Sequence, residues 1–298
     1  MGNIHVHIGE MLARNARVYP DDIALVERVA AEKKRTLITW KEFDEKANRF
    51  ANLLNAKGVK KGDKVAHWMQ NSIDWLVAYF GIIRTGAWVV PLNFRFTAEE
   101  MKYCADVAEP LVFVFDEEFA PKVQSVREQL TSVKAYICVG KNVPAFAESF
   151  STLLQGTDAT PLSTELTFSD PAGLYFTSGT TGQPKPILLT HNNLANAAVV
   201  ENMHHHQTKD DVFILLPPLY HTGAIMHWFG HLIVGSKAVI LKGISPEWTF
   251  ETINEEAGTV LWSLVPWIQD ILVKLDSGVC QIVVREKNGF RLSCCPGR

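Results

Sequence analysis

The side chains best suited to chemistry lie together in residues 177–185, which read Thr-Ser-Gly-Thr-Thr-Gly-Gln-Pro-Lys. The segment holds four hydroxyl side chains, two glycines and one lysine. Glycine lets backbone N–H groups come close to an anion, hydroxyl groups donate hydrogen bonds to phosphate oxygens, and lysine adds a mobile positive charge. The pattern therefore predicts a loop that binds a polyphosphate, although the same composition is also typical of an ordinary surface turn.

This segment differs from the two common nucleotide-binding loops. A Walker loop needs a glycine at the position that Pro184 occupies, and no Gly-x-Gly-x-x-Gly sequence occurs in the chain. Short apolar runs lie on either side, at residues 173–176 and 187–189, and the second run follows Pro186. We therefore expect the loop to join two strands, without a helix N-terminus that could bind phosphate.

The surrounding sequence alternates between strand and helix patterns, which predicts an α/β fold. Residues 65–69 and 88–92 have the composition of buried strands, and Asn71 and Ser72 can cap a helix between them. This spacing predicts a right-handed crossover with both strands parallel in one sheet. Residues 146–170 are polar and weakly periodic, so we expect an irregular connector. Other predicted features are a capping box of Thr97 with Glu100, strands at 24–26, 36–40, 111–115, 135–139, 212–216, 237–241 and 259–263, and helices at 41–57, 191–203, 223–235 and 266–275.

His221 and the three histidines at 204–206 are candidate functional residues. His221 follows the strand predicted at 212–216, and ligands of open α/β sheets collect at the carboxyl ends of the strands. His221 is therefore a candidate site residue, and a purely structural histidine is the alternative. The three consecutive histidines at 204–206 point about 100° apart on a helix and have no cysteine or acidic neighbour with suitable geometry, so we expect a solvated helix end and no metal site.

Two motifs resemble those of the adenylate-forming (AMP-binding) superfamily, which includes acyl-CoA synthetases, peptide-synthetase adenylation domains and firefly-type luciferases. The first is Thr-Ser-Gly-Thr-Thr-Gly-x-Pro-Lys after a strand, at residues 177–185. The second is the downstream Pro-x-x-His element that contains His221. The run from Gly86 to Asn93 is similar to a third family segment. The family usually has glycine where this chain has Pro186, which has a fixed φ and no N–H donor.

The resemblance implies ATP-dependent activation of a carboxylic acid, first to an acyl-adenylate and then to a thioester of coenzyme A. It implies ATP, Mg²⁺ and coenzyme A as cofactors, and His221 and Lys185 as catalytic residues. The cofactor-binding residues would be Thr177, Ser178, Gly179, Thr180, Thr181, Gly182, Gln183, Pro184 and Lys185. Within the family, adenylation for peptide synthesis and luciferase-like chemistry remain open, and an inactive nucleotide-binding fragment is a further alternative. Trp228 and Trp262 could line an acyl pocket, but buried tryptophan is more often part of the core.

The resemblance also implies two stacked, doubly wound α/β subdomains with mostly parallel sheets and flanking helices. We assign residues 60–205 to the first subdomain, which carries the phosphate loop, and residues 10–59 plus 206–276 to an incomplete second one. Residues 277–298 do not match the family pattern and could form an isolated hairpin, after either a frame change or a deliberate shortening. The family's C-terminal lid domain has no counterpart, so we expect a truncated enzyme that turns over poorly alone and can self-associate through the face left by the missing half.

Composition excludes several classes of function. Lys plus Arg total 29 against 32 Asp plus Glu, a net charge of −3, and no basic stripe is present that could bind nucleic acid. No apolar run is long enough to cross a bilayer, and the N-terminus lacks the apolar core of a signal peptide. The five cysteines are scattered, as is typical of reduced thiols. We therefore expect a cytoplasmic protein that acts on small molecules.

Overall fold

The computed structural model describes residues 6–177, 183–282 and 289–294, without the side chains of Ser293 and Cys294. The strands are β1 (Ile23–Val29), β2 (Lys34–Thr39), β3 (Lys64–Trp68), β4 (Trp88–Pro91), β5 (Val112–Asp116), β6 (Ala135–Val139), β7 (Glu148–Ser149), β8 (Pro171–Thr177), β9 (Lys185–Thr190), β10 (Val212–Leu215), β11 (Lys237–Lys242), β12 (Val260–Ser263) and β13 (Arg291–Cys294). The helices are α1 (Ile8–Val18), α2 (Trp40–Ala56), α3 (Ile73–Arg84), α4 (Ala98–Ala108), α5 (Ala120–Val126), α6 (Phe150–Gln155), α7 (His191–His205), α8 (Thr222–Val234), α9 (Pro246–Glu256) and α10 (Val265–Asp276). This alternation confirms the predicted α/β class.

Contacts between residues divide the described chain into two compact units. The first contains the described residues up to Glu10 with Phe43–Gln70 and Asp74–Leu194, and the second contains Met11–Glu42, Asn71–Ile73 and the described residues from Ala195 onward. Most of α2 falls in the first unit, because Phe43 packs edge-on against Phe80 and Phe50 packs against Phe150. The division differs from the predicted assignment for residues 43–59, which fall in the first unit, and for residues 71–73 and 195–205, which fall in the second. The subdomain boundaries stay a prediction.

The first unit is built on a sheet whose described strands follow the order β7-β6-β5-β3-β4-β8-β9. Neighbouring strands are parallel except for the β8–β9 pair. β3 and β4 are parallel neighbours joined through α3, which confirms that the two strands of the predicted crossover lie parallel in one sheet. The capping box of Thr97 with Glu100 at the start of α4 is also confirmed. Helices α2 and α3 are in close contact, since a Cβ on Gly81 would lie 2.8 Å from Cδ1 of Phe50.

The second unit is built on a sheet whose described strands follow the order β13-β12-β10-β11-β1-β2. Only the β1–β2 pair is antiparallel. β1 pairs with β11, so a hairpin near the N-terminus completes a sheet whose other strands lie far along the chain. The core on this sheet includes the fully buried side chains of Ile214, Val239 and Leu261.

A buried carboxylate connects several elements of the second unit. Glu256 of α9 accepts hydrogen bonds from Arg35 Nε at 2.7 Å and Nη2 at 3.1 Å, and from Lys237 Nζ at 3.5 Å, while Arg28 Nη1 lies 3.7 Å away. Burial alone would raise the pKa of Glu256, but the Arg35 hydrogen bond and the surrounding positive charges outweigh it, so the pKa is lowered. The ionised carboxylate thus ties β1, β2 and β11 to α9.

The expectation that residues 146–170 form an irregular connector was wrong in part. The segment contains β7, which pairs in parallel with β6, and α6, which begins where Ser149 Oγ accepts a hydrogen bond from the Thr152 N–H. Phe150 at the start of this helix is buried. A short apolar anchor and a serine cap were sufficient to order a segment with little periodicity.

The expectation of an isolated hairpin near the C-terminus was also wrong. β13 lies parallel to β12 at the edge of the second sheet, with Arg291 opposite Val260. The Arg291 backbone N–H donates to the Thr259 carbonyl at 2.7 Å, and its guanidinium forms an ion pair with the buried Asp211. These long-range contacts hold the strand in the sheet, and residues 283–288 lie outside the described residues.

Candidate functional site

The predicted phosphate loop is carried by the β8–β9 hairpin of the first unit. Thr177 ends β8, Lys185 begins β9, and the two are antiparallel partners. Thr177 Oγ1 donates a hydrogen bond to the Lys185 carbonyl oxygen at 3.5 Å. The side chains of Thr177, Gln183 and Lys185 are exposed, and Pro184 is half-buried. The prediction that the loop joins two strands is confirmed. Outside the described residues lie Ser178, Gly179, Thr180, Thr181 and Gly182.

The base of this hairpin is held by a buried pair of tyrosines. The hydroxyl groups of Tyr79 on α3 and Tyr175 on β8 lie 2.7 Å apart in a hydrogen bond. Burial raises the pKa of both hydroxyl groups, so both remain neutral. On the neighbouring face a Cβ on Gly173 would lie 2.9 Å from Cγ1 of Val89, so β8 can approach β4 closely because residue 173 is glycine. These residues tie β8 to α3 and β4, and the sequence patterns did not predict these contacts.

Pro186, which stands where the family usually has glycine, is accommodated within β9. It pairs with Phe176 on β8, and β9 is the last strand in the described part of the sheet. Proline is tolerated on an edge strand, because a missing N–H on the open side removes no bond of the ladder. The hairpin therefore continues through Pro186 and places Lys185 at the mouth of the loop.

His221 lies in the second unit, after β10 and at the residue that precedes the first turn of α8. Its backbone N–H donates to the Pro218 carbonyl at 3.0 Å, and its own carbonyl accepts from Ala224 at 3.0 Å. The imidazole is exposed, and the nearby protein removes enough solvent to lower the pKa of His221 below its ordinary value of 6.5. The ring is therefore neutral at pH 7 and can donate one hydrogen bond and accept another.

The segment that leads to His221 is clamped by a buried asparagine. The Asn71 Nδ2 donates to the Pro217 carbonyl and its Oδ1 accepts from the Leu219 N–H, both at 2.8 Å. Of the two residues expected to cap α3, Asn71 and Ser72, Asn71 uses its carboxamide in this distant segment instead. The first N–H of α3, on Ile73, instead donates to Glu27 Oε2 at 2.8 Å. Asn71 is thus a positioning residue that the sequence reasoning misassigned.

The two tryptophans considered for an acyl pocket are both buried. Trp228 lies inside the second unit, and Trp262 on β12 is 3% exposed. A Cβ on Gly223 would lie 3.1 Å from the Trp262 ring, so the first turn of α8 packs directly on this indole. Trp262 therefore supports the backbone that follows His221, as a core residue would.

The expectation that the histidines at 204–206 lack an acidic neighbour was wrong. Glu201 lies one helical turn before His205 on α7, and His227 on α8 joins them. Their possible ligand atoms all lie within 4.8 Å of one another, a spacing found for no other group of three among the described residues. The Glu-x-x-x-His spacing places both side chains on one face of a helix and could have been recognised in the sequence. The approach of His227 on α8 could not have been.

The structure therefore brings some of the predicted site residues together and leaves others apart. Thr177 and Lys185 share one hairpin of the first unit, while His221 belongs to the second unit. The hairpin presents the exposed side chains of Lys185 and Thr177 side by side, and this cation and hydroxyl group can bind an anion. The region of His221 presents a neutral imidazole on a clamped backbone, which can orient a polar group.

Comparison with known proteins assigns the family. The sequence profile of the AMP-binding enzyme family matches residues 12–291. The chain belongs to the AMP-binding enzyme family. The match extends past Ser277, where we had placed the end of the resemblance, and this earlier limit was wrong. It includes β10–β12 and reaches the first residue of β13.

Individual proteins are similar to the chain over most of its length. The chain is 30% identical over 277 residues to a crotonobetaine/carnitine–CoA ligase of Salmonella arizonae, covering 90% of this chain and 53% of that protein. ATP-bound MatB from Rhodopseudomonas palustris is 26% identical, with a TM-score of 0.76 over 90% of this chain and 51% of that chain. The inhibitor-bound N-terminal domain of FACL13 from Mycobacterium tuberculosis has a TM-score of 0.86 at 24% identity, over 98% of this chain and 70% of that chain, and shows the fold alone.

The chain spans about half the length of the curated relatives it matches. Among the described helices, none combines the length and the apolar character needed to cross a bilayer.

Proposed function

We propose that this AMP-binding protein takes part in the ATP-dependent activation of a carboxylic acid and its transfer to the thiol of coenzyme A. The observation that carries the proposal is the β8–β9 hairpin, which places Lys185 and Thr177 side by side and exposed at the two ends of the family's phosphate-loop motif. The similarity to proteins named as CoA ligases supports the choice of thiol.

The first step joins two anions, and this sets the electrostatic requirement. A carboxylate oxygen forms a bond to the α-phosphorus of MgATP, the bond from that phosphorus to the β-bridging oxygen breaks, and pyrophosphate leaves. The nucleophile must approach a polyanion, so cations and N–H donors have to offset the charge that develops on the leaving group. We assign this task to Lys185 and to the hydroxyl groups of the loop, with Thr177 the member that the structure describes.

The second step transfers the acyl group. The thiol of coenzyme A gives up its proton to solvent, its sulfur forms a bond to the acyl carbon, the bond from that carbon to the phosphate oxygen breaks, and AMP leaves.

We assign to His221 a task in the first step, which is to orient the attacking carboxylate through its ring N–H. The lowered pKa of His221 supports this role, because a neutral ring can donate to a carboxylate without holding it as a tight ion pair.

The proposal is tested by MgATP binding to the Lys185→Ala variant. A charge-assisted hydrogen bond contributes about 1.5–3 kcal/mol, so we expect affinity to fall about 10- to 150-fold. Lys141 is a matched control, since it is also an exposed lysine of the first unit, and Lys141→Ala should leave the affinity unchanged. Circular dichroism of both variants checks the fold. Equal MgATP affinity in Lys185→Ala and wild type would remove Lys185 from the site.

A second candidate function is nucleotide binding without turnover. It is favoured by one observation, that the 298 residues cover only about half of the matched ligases. We expect these residues alone to bind MgATP weakly and to catalyse negligible carboxylate-dependent ATP–pyrophosphate exchange. Clear exchange by the pure chain with any acid would contradict this candidate and favour complete adenylation activity.

We also propose that the chain self-associates. The support is a group of large apolar side chains left exposed on the part of α7 that belongs to the second unit, namely Val199, Val200 and Met203. Sedimentation velocity at increasing protein concentration should show a rising mean mass, and a monomer at every concentration would refute the proposal.

A further inference from the structure

A group of three side chains in the second unit has no role in the function proposed above. Glu201 and His205 lie one turn apart on α7, and His227 lies on α8. Glu201 Oε2 is 3.2 Å from His205 Nε2 and 3.4 Å from His227 Nε2. The three side chains are between 17% and 25% exposed, so a small ion can reach them from solvent.

Within this group, one carboxylate oxygen and one imidazole lone pair lack a hydrogen-bond donor in the described structure. Glu201 Oε2 is buried and makes no hydrogen bond in the described structure. His227 Nδ1 lies 2.5 Å from the Gly223 carbonyl oxygen, which can only accept, so Nδ1 carries the proton. In the neutral ring Nε2 then directs its lone pair towards the Glu201 carboxylate. A lone pair and a carboxylate oxygen at 3.4 Å repel each other unless a cation lies between them.

One side-chain cation beside this group is already paired elsewhere. Arg291 lies nearby and donates from Nη1 to the His205 carbonyl at 2.7 Å, but Asp211 neutralises its charge.

We propose that Glu201, His205 and His227 bind a divalent transition-metal ion of the zinc class. Zn²⁺ binds imidazole nitrogen and carboxylate oxygen at about 2.1 Å, so two ligands at tetrahedral positions lie about 3.4 Å apart. The separations of 3.2 and 3.4 Å between Glu201 Oε2 and the two Nε2 atoms match that ligand-to-ligand distance. The donor set of two imidazoles and one carboxylate favours zinc over magnesium or calcium, which prefer oxygen ligands.

The surroundings of His227 are those of a metal ligand. Its Nδ1–H is held by the Gly223 carbonyl, as the second ring nitrogen of a ligating histidine commonly is. Trp262 stacks on the ring at a centroid distance of 4.4 Å and an angle of 25°, which fixes the ring plane. The three protein ligands leave a fourth position for water. Bound metal would cross-link α7 to α8 within the second unit.

The test uses Zn²⁺ alone, on the full 298-residue chain without an affinity tag. Equilibrium dialysis should show one Zn²⁺ bound per chain, and Co²⁺ in its place should give the intense visible absorption of a tetrahedral site. We expect Glu201→Gln, which preserves the shape of the side chain, and His227→Asn each to weaken binding at least about 10-fold. Circular dichroism identifies any variant that fails to fold, and Glu201→Gln alone is then sufficient.

The matched control is His204→Asn. His204 is an exposed histidine on the same helix, next to His205 in sequence but outside the group of three. This variant should bind Zn²⁺ as tightly as wild type. The proposal is overturned if wild type binds no stoichiometric Zn²⁺, or if His204→Asn loses binding while Glu201→Gln keeps it, because surface histidines would then be the ligands. Since ATP is absent from the assay, the outcome is independent of the proposed ligase function.

Discussion

The Asn71 clamp makes a quantitative prediction about the segment before His221. Replacing Asn71 by alanine removes two buried hydrogen bonds of 2.8 Å, to the Pro217 carbonyl and from the Leu219 N–H. Both backbone groups lie on buried residues, so water cannot easily replace the lost partner. A buried polar group left without a partner costs about 1–3 kcal/mol, and partial relaxation makes about 2–4 kcal/mol a reasonable total for two. We expect Asn71→Ala to lower the free energy of unfolding by that amount.

Two measurements check this prediction. Urea unfolding followed by circular dichroism reports the global loss, and hydrogen exchange of the Leu219 amide reports the local one. Loss of the single bond to Oδ1, at about 1–3 kcal/mol, should speed exchange at Leu219 about 5- to 150-fold. The control is Asn52→Ala, because Asn52 also donates to two carbonyls, at 3.0 and 2.7 Å, but on the exposed surface. It should cost less than about 1 kcal/mol, since water can replace those bonds.

The reasoning would be refuted by an Asn71→Ala protein that unfolds at the same urea concentration as wild type and exchanges Leu219 at the same rate. A lower free energy of unfolding without faster exchange of the Leu219 amide would show that Asn71 contributes to packing and does not hold this segment. If the clamp holds, the segment before His221 depends on a residue that lies far from it in sequence.

Three further predictions concern stability and reactivity. Glu256→Gln should lower the free energy of unfolding by about 1–3 kcal/mol near pH 7, because it removes the charged hydrogen-bond partner of Arg35 and Lys237, while Arg28 keeps Glu251 and Glu255. Since the pKa of Glu256 is lowered in the folded state, its stabilisation is complete above the ordinary value of 4.5 and is lost as pH falls through the folded value, so urea titrations of wild type and variant should converge in acid. Gly81→Ala should lower the free energy of unfolding by about 1–3 kcal/mol in thermal unfolding, because its Cβ would collide with α2. The control Gly156→Ala should be nearly neutral, because its Cβ would meet nothing closer than 3.9 Å. Equal effects of the two substitutions would argue against the close contact. Burial raises the pKa of the Cys104 thiol to about 12, so a thiol reagent at about pH 8 should label the half-buried Cys280 before Cys104, as peptide mass mapping would show. Rapid labelling of Cys104 would contradict its burial.

Local features of the fold followed directly from the sequence. The capping box of Thr97 with Glu100 and the crossover from β3 through α3 to β4 depend on side chains and periodicities within a few turns of one another. The hairpin around residues 177–185 followed for the same reason, because the apolar runs on either side have the length of strands. Patterns of this range are set by backbone geometry and nearby side chains, and they survive without knowledge of the tertiary structure.

Features that depend on distant partners could not be predicted in this way. Asn71 looked like a helix cap, since asparagine before a helix usually is one, but folding brought the segment at 217–219 to its carboxamide. The stretch after Ser277 looked like an isolated hairpin, but part of it is a parallel strand because Arg291 meets Asp211 and β12. His204 and His206 are exposed as expected, but α8 places His227 beside Glu201 and His205.

The sequence by itself therefore determined the α/β class, the strand–loop–strand form of the phosphate motif and the family to which the chain is similar. The tertiary structure alone decided which side chains support those motifs, namely the tyrosine pair under the hairpin, the asparagine clamp before His221 and the three candidate metal ligands. The physical reason is range: a helix or a turn is stabilised by neighbours in the chain, whereas a buried carboxamide, carboxylate or imidazole is defined by whichever distant groups satisfy it after folding.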